Sequence, residues 1–553
     1  MDNQRLFLWL GLAIILWITW RTWVEDYGPQ QPQPTAVEEA AEAPVRAPED
    51  PDLPALADTD LPALSAGAPA VEESLDTGAL VRVVTDVLDI DIGLRGGDLV
   101  RADLPRYPLR KDQPDIPIRL LSAEPERRFV FQTGLRRLGD GPEPNHLAQF
   151  EADRTEYRLA PGQNELTVIL RWQNGEGLRG YKIYTFRRGQ YRVDLEQRLV
   201  NESNEPWAGA PYLQLQRRHV PPGRSLFSVE SYSFTGPVLF NGRAYDKLNV
   251  SDLHGGPVTQ AVENGWMAAI QHHFLAAAVP TPGVLVNYRA SARDGVFTVS
   301  AVEPITQVAP GTTASFNNRL FVGPKLQSQL RQTADGLHKT VDYGVLTLLS
   351  EPLFWLIDRT HDVVQNWGLA IILVTLLIKL AFWKLTALSG RSMAKMRKLQ
   401  PRLKALQERY KDDRQALSKA MMDLYKREKV NPAAGCLPIL IQMPFFFAFY
   451  WVLLESVEMR QAPFALWITD LSSRDPFFIL PLMMGAAMWF QQRLNPAPPD
   501  PIQAKIMQVL PIIFTVFFAF FPAGLVLYWL TNTVLSALQQ WRINHVIERD
   551  AKA

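Results

Sequence analysis

Residues 368–383 read GLAIILVTLLIKLAFW, an apolar run broken only by Thr375 and Lys379. With Trp367 ahead of it, the run approaches the roughly 20 residues that a hydrocarbon core of about 30 Å requires at about 1.5 Å per helical residue. Read as a membrane helix, it sets the solvent in which the second half of the chain must be understood. Lys379 is then the exception to explain, because an ionisable group at the centre of such a helix costs roughly 2.5–3.5 kcal/mol on insertion scales. It lies four or five residues before Trp383 and Lys384, about 6–8 Å from the end of the run, so snorkelling to the interface is its plainest role. Thr375 stands one turn earlier on the same face, which makes a polar stripe the competing role. Both readings stay open on these residues alone.

Working outward, further apolar runs occupy residues 6–24, 437–454, 477–491, 506–521 and 523–538, for an expected total of six spans. Most carry proline, glycine, glutamine or threonine, which lipid tolerates only where neighbouring helices or a wet cavity satisfy the freed polar groups, so the helices should bundle. The first run ends in Trp20 and Trp23 with no small-residue cleavage site directly after it, and is expected to be an uncleaved anchor rather than a signal peptide. Gln442, Thr531, Asn532, Ser536 and Gln539 place polar groups on other spans, where interhelical hydrogen bonding is the ordinary use.

Orientation follows from residues 384–429, which hold fourteen Lys and Arg against five Asp and Glu, a bias that belongs on the cytoplasmic side. Counting outward puts both termini in the cytoplasm and residues 28–366 outside, in the periplasm of a two-membrane bacterium. The loop 458–475, with two Arg against three acidic residues, sits outside without contradiction. Over the whole chain 57 basic and 57 acidic residues cancel, so partner preference must come from local clusters. A single cysteine, Cys436, excludes an intrachain disulfide and a zinc site of the usual Cys/His spacing.

Within the outer region, residues 28–78 are rich in Pro, Ala and Glu and read as an acidic linker. From Leu80 the apolar residues alternate, as in VRVVTDVLDIDIGL and in YKIYTFRRGQYRVDLEQRLV with its turn at Arg188-Gly189-Gln190, so residues 79–323 are expected to form an antiparallel β-sandwich. A connecting amphipathic helix is expected over 324–366. The histidines His146, His219, His254, His272 and His273 form no metal-spaced trio, and no nucleophile motif accompanies them, so a binding or spacer domain is favoured over an enzyme. The adjacent His272 and His273 are expected on opposite faces of a strand.

In the basic loop, Met393, Met396, Leu399, Leu403, Leu406 and Tyr410 recur at helical spacing, and Leu417, Met421, Leu424 and Tyr425 do so again beyond Lys411-Asp412-Asp413. Two amphipathic helices should form a hairpin over 384–430, with Lys395, Arg397, Lys398, Arg402 and Lys404 among its basic residues. The plain role of that charge is topological; a basic hairpin at a membrane also suits ribosomal RNA, anionic lipid or an acidic polypeptide, and the sequence leaves these open.

The segments SMAKMRKLQPRLKALQERY, KREKVNPAAGCLPILIQMPFF, ESVEMRQAPFALWITDLSSRDPFFILP and FFPAGLVLYW resemble those of the YidC family of membrane insertases, which is related to the oxidase-assembly and thylakoid insertases. The resemblance is close over 367–541 and looser over the outer domain. It implies a fold of six transmembrane helices, five of them enclosing a groove, with a periplasmic all-β supersandwich and a cytoplasmic helical hairpin. The implied divisions are an anchor at 1–27, the linker at 28–78, the sandwich at 79–323, the connecting helix at 324–366, the insertase core at 367–541 and a tail at 542–553. The implied activity is insertion of nascent inner-membrane proteins through a positively charged hydrophilic groove, alone or with the secretion translocon. Ribosome and targeting-receptor contacts would fall on the hairpin, lipids would surround the bundle, and no cofactor is implied. Lys379, Thr375, Gln442 and Tyr528 match groove-facing positions, and Trp529 would be a substrate-contacting wall or an interfacial tryptophan. Lys379 stands where the family usually has arginine; the charge survives and the planar five-donor fork does not. A small-solute transporter, which calls for inverted repeats, and a membrane-anchored periplasmic carbohydrate enzyme, which calls for catalytic carboxylates, are the alternatives.

Overall fold

The period-two runs form antiparallel strands in a computed structural model that describes residues 75–221, 233–410, 413–428, 430, 437–494 and 501–550. All of these belong to one unit, Pro54–Ala553. The expected first span and residues 28–74 of the expected linker lie outside the described residues. Strands Leu178–Arg187 and Arg192–Asn201 bury every second residue and pair with Val193 opposite Phe186, across the turn at Gly189, whose φ of 71° suits glycine. Arg192–Asn201 pairs on its other side with Thr312–Pro324, inside a nine-stranded sheet. An eleven-stranded sheet is built around Trp207–Arg218, which lies between Phe129–Arg137 and Val296–Val302. Among the described residues every strand pairing is antiparallel except that of Leu80–Val84 with Glu156–Arg158.

Trp207, Trp266, Tyr184, Tyr212, Phe131 and Phe321 are fully buried in the sandwich, each contributing roughly 1.5–3 kcal/mol through its apolar area. A buried ion pair, Lys182 with Asp98, lies among them. Lys182 takes an inward position of its strand, and its ammonium donates to Asp98 Oδ1 at 3.1 Å, to the Thr133 carbonyl at 2.7 Å and to the Gly96 carbonyl. Removal from water is answered by three acceptors, one of them charged.

Between the sheets and the C-terminal helices the expected single helix is divided. A one-turn helix α1 (Val250–Leu253) sits in the sandwich; then come α2 (Gln327–Thr333), short 3₁₀ turns at Leu337–Thr340 and Gly344–Leu346, and α3 (Thr347–Val364). Seven helices follow: α4 (Trp367–Ala381), α5 (Trp383–Arg409), α6 (Arg414–Arg427), α7 (Leu437–Glu455), α8 (Ile479–Leu494), α9 (Pro501–Phe518) and α10 (Ala523–Asp550). Asn366 starts α4 by accepting from the Leu369 amide at 3.0 Å.

The helices do not reproduce six separate straight spans. Among the described residues no single helix is long and apolar enough to cross a membrane; Trp367–Ala381 and Thr386–Ser392, bent by 67°, meet the length and composition together. The run at 368–383 breaks at Phe382 and only the first part of the long α10 is apolar, while α7 and α9 run on through Pro444 and Pro511. The helices α5 and α6 lie together over a small apolar cluster of Leu399, Leu403, Tyr425 and Val430.

Candidate functional site

Three helices bring the polar residues of the expected spans together. Lys379, near the end of α4, is half-buried, and its Nζ donates to Ser536 Oγ of α10 at 2.7 Å. Ser536 Oγ in turn donates to the Asn532 carbonyl one turn earlier, at 2.7 Å. The Asn532 side chain accepts from Gln442 Nε2 of α7. Gln539, further along α10, donates to the Trp383 carbonyl at 3.4 Å. A ladder of polar side chains thus joins α4, α7 and α10, and among the described residues no carboxylate pairs with Lys379.

The sequence-derived residues do not all line this ladder in the same way. Gln442 and Lys379 are partly accessible. Thr375 is 2% exposed, its hydroxyl spent on the Ile371 carbonyl of its own helix at 2.6 Å. Tyr528 is 3% exposed, with its ring stacked on Phe449 at 4.3 Å between centroids. Trp529 is half-buried and meets Phe446 edge-on at 4.6 Å and Phe518 at 5.3 Å. Thr375 and Tyr528 are therefore buried between the helices, whereas Lys379, Gln442 and Trp529 keep accessible surface.

On the hairpin, Lys395, Lys398, Arg402 and Lys404 are exposed, and Arg402 pairs with Glu428 at 2.6 Å. The Arg397 side chain lies outside the described residues.

A second constellation escaped the sequence reading. His272 and His273 do not alternate along a strand. They form the two-residue turn between Trp266–Gln271 and Phe274–Val279, so their rings stack at 3.7 Å instead of parting. Both Nε2 atoms reach the carbonyl of Leu454 in the last turn of α7, at 3.1 and 3.0 Å. A carbonyl only accepts, so both rings present Nε2–H. Burial holds both imidazoles far below their usual range, His272 at about 2 and His273 at about 4. Around them, Ser233 donates to Glu455 at 3.0 Å, and Glu458 accepts from the Gln327 amide at 3.4 Å. The Glu458 Oε2 is buried without a partner, and burial pushes the carboxyl up to about 7. Arg460 and Gln461 donate to the Pro108 carbonyl at 3.1 and 3.2 Å, and Lys111 reaches the Thr469 carbonyl. The sandwich is fastened to the end of α7 and to the loop beyond it. Most acceptors are backbone carbonyls, which have no signature in a sequence.

The family model described as "60Kd inner membrane protein" matches residues 359–550, and the one described as "YidC periplasmic domain" matches residues 80–356. Over 100% of both chains, 48% of residues are identical to the membrane protein insertase YidC of Thioalkalivibrio sulfidiphilus. The YidC of Alkalilimnicola ehrlichii is 48% identical over 99% of this chain and 96% of its own, and that of Methylococcus capsulatus is 46% identical over 100% and 99%. Among solved structures, an active YidC insertase with its first transmembrane domain resolved matches 83% of this chain and 92% of its own, at 19% identity and a TM-score of 0.38. A galactose mutarotase related enzyme from Lactobacillus acidophilus matches 44% of this chain and 97% of its own, at 10% identity and a TM-score of 0.31.

Proposed function

The chain belongs to the YidC family of membrane protein insertases and is an inner-membrane insertase with a periplasmic β-sandwich domain, and on that basis we propose that polar segments of its clients are held at the ladder formed by Lys379, Ser536, Asn532 and Gln442. The reading as a solute transporter and the reading as a carbohydrate enzyme have no support among relatives matched over the full length. The observation that carries the proposal is the half-buried Lys379, whose ammonium rests on a hydroxyl rather than a carboxylate.

The physical logic is one of solvation. A polar client segment entering hydrocarbon loses its water at a cost of several kcal/mol per unsatisfied group. Hydrogen-bonding groups part-way across lower that cost, and an unpaired ammonium favours a segment carrying a carboxylate. The client's apolar helix then moves from the ladder along Trp529 and the apolar faces of α4 and α9 into lipid. No nucleotide is required in this scheme, and the sequence has no Walker A motif. Thr375 and Tyr528 contribute by keeping the helices in register behind the ladder.

The same reading sets both termini and the basic hairpin in the cytoplasm and uses six spans, the bent pair at 367–392 among them. It keeps the divisions at 1–27, 28–78, 79–323, 324–366, 367–541 and 542–553. It gives Lys395, Arg397, Lys398, Arg402 and Lys404 the task of meeting the ribosome, a targeting receptor or anionic lipid, with the secretion translocon as a further partner and no cofactor. Support comes from the excess of Lys and Arg over 384–429.

The test uses full-length protein in liposomes, with protease-protected insertion of a single-span client bearing an acidic tail as the readout. Wild type and Lys379→Arg are expected to insert it, and Lys379→Met to fall at least about tenfold, the value of one hydrogen bond to a charged group. Equal insertion by Lys379→Met would reduce Lys379 to an interface residue and remove the ladder's charged centre from the mechanism.

A further inference from the structure

The chemistry of Ser536 is settled by its neighbours. A hydroxyl has one proton, and that of Ser536 is directed to the Asn532 carbonyl at 2.7 Å. Only lone pairs then remain for Lys379 Nζ, which lies 2.7 Å away on the opposite helix. Ser536 is therefore an acceptor toward the lysine, and an acceptor suits an ammonium, which has three donors and no lone pair. One donor is used, and two are left for a client. The same turn of α10 carries Asn532, whose side chain accepts from Gln442. Positions 532 and 536 thus set the direction of polar groups arriving from two other helices.

This matters because the cation is a lysine. Its ammonium is a point charge on a flexible four-carbon stem, whereas a guanidinium is a rigid fork that loses less freedom for each hydrogen bond it forms. A lysine in this place needs something to fix it. We propose that Ser536 is the positioning residue that holds the Lys379 ammonium against α10, with two N–H groups presented to a carboxylate in an acidic client segment. The inference rests on the reading of Lys379 as a client-binding charge.

The experiment measures initial insertion rates in liposomes for two clients that differ only in an acidic or a neutral tail, at client concentrations below saturation. Ser536→Ala is expected to slow the acidic client about tenfold more than the neutral one, which loses only the serine's own place in the ladder. Ser536→Thr, which keeps the acceptor, should restore the rate. In a Lys379→Arg background, Ser536→Ala should lose most of its effect, because the guanidinium is pre-organised without the serine. Should Ser536→Ala not fold, Ser536→Cys, a near-isostere and weaker acceptor, takes its place with an intermediate loss expected. Equal slowing of both clients, or no rescue by threonine, would reduce Ser536 to a helix-packing residue and overturn the proposal. The two levels separate cleanly: if Lys379→Met abolishes insertion while Ser536→Ala equals wild type, only the positioning role fails; if Lys379→Met equals wild type, the charged-ladder reading fails with it.

Discussion

The sandwich and the helical region treat the same residue types in opposite ways. In the sandwich Trp207, Tyr212 and Phe321 point inward, and the buried charge Lys182 is ringed by acceptors. In the helices Leu373, Leu377 and Leu380 of α4, with Ile512, Val516 and Phe517 of α9, face outward and are more than a third exposed. So much outward apolar surface marks a face that meets something other than water. In hydrocarbon it costs nothing, and with no hydrophobic drive between them the helices must cohere through close packing and hydrogen bonds. The difference is one of solvent, and it divides the kinds of mutation each region should tolerate.

The largest effect belongs to the water-facing region. Asp98→Ala leaves the Lys182 ammonium buried without its counter-charge, and should destabilise the sandwich by about 3–5 kcal/mol. Hydrogen exchange on the full-length protein in nanodiscs would register it as lost protection over the strands with the helices unchanged; loss in the helices instead would mean that the two regions are one cooperative unit.

Next comes a close helix contact. A Cβ on Gly485 of α8 would run into the Thr515 side chain of α9. Gly485→Leu is expected to cost about 1–3 kcal/mol in thermal denaturation, whereas Val516→Ala on the outward face should stay within about 0.5 kcal/mol. A large loss from Val516→Ala would assign that face to a protein contact instead of lipid.

The junction between the regions should respond to pH in two directions. Glu458 is held at about 7 against a usual 4.5, so its contribution is full below pH 4.5 and is lost as pH rises through 7. His272 and His273 are held at about 2 and about 4 against 6.5, so theirs is full above pH 6.5 and is lost as pH falls. Between pH 4.5 and 6.5 the two tendencies oppose each other. Each proton is worth a slope of up to about 1.4 kcal/mol per pH unit. Glu458→Gln should flatten the alkaline side of a melting-temperature profile and His273→Gln the acid side; unchanged profiles would mean that the junction is open in solution.

The smallest effect is expected at the exposed pair Arg402–Glu428 on the hairpin, where Glu428→Gln should change stability by about 0–1 kcal/mol, less at high salt. A larger loss would mark the hairpin as more tightly held than its small apolar cluster suggests.

Much of this was legible in the residues. Alternation announced the strands from Leu80, and the turn at Gly189 fell where it was read. Lys379 and Gln442 stood out as polar groups in apolar runs, whereas Trp529 was reached only through the family resemblance. The helix end at Ala381 falls two residues before the end read at Trp383; the 67° bend that follows was not legible, because composition does not encode direction. Nor was the stacking of His272 on His273, since one residue of register separates a strand, where neighbours diverge, from a two-residue turn, where they converge. Ser536 was visible as a polar residue, but its partner on α4 depends on how two helices are rotated about their axes, which apolar surroundings do not encode.

The double donation from His272 and His273 to Leu454 also bears on the order of assembly. The last carbonyls of a helix lack partners within it, and here one is met by a turn made much earlier in the chain. Synthesis runs from the N-terminus and domains generally fold in that order, so the strands that shape the turn at 272–273 leave the ribosome before Leu454 does. An early sandwich would offer the end of α7 two ready donors for a carbonyl that its own helix cannot satisfy.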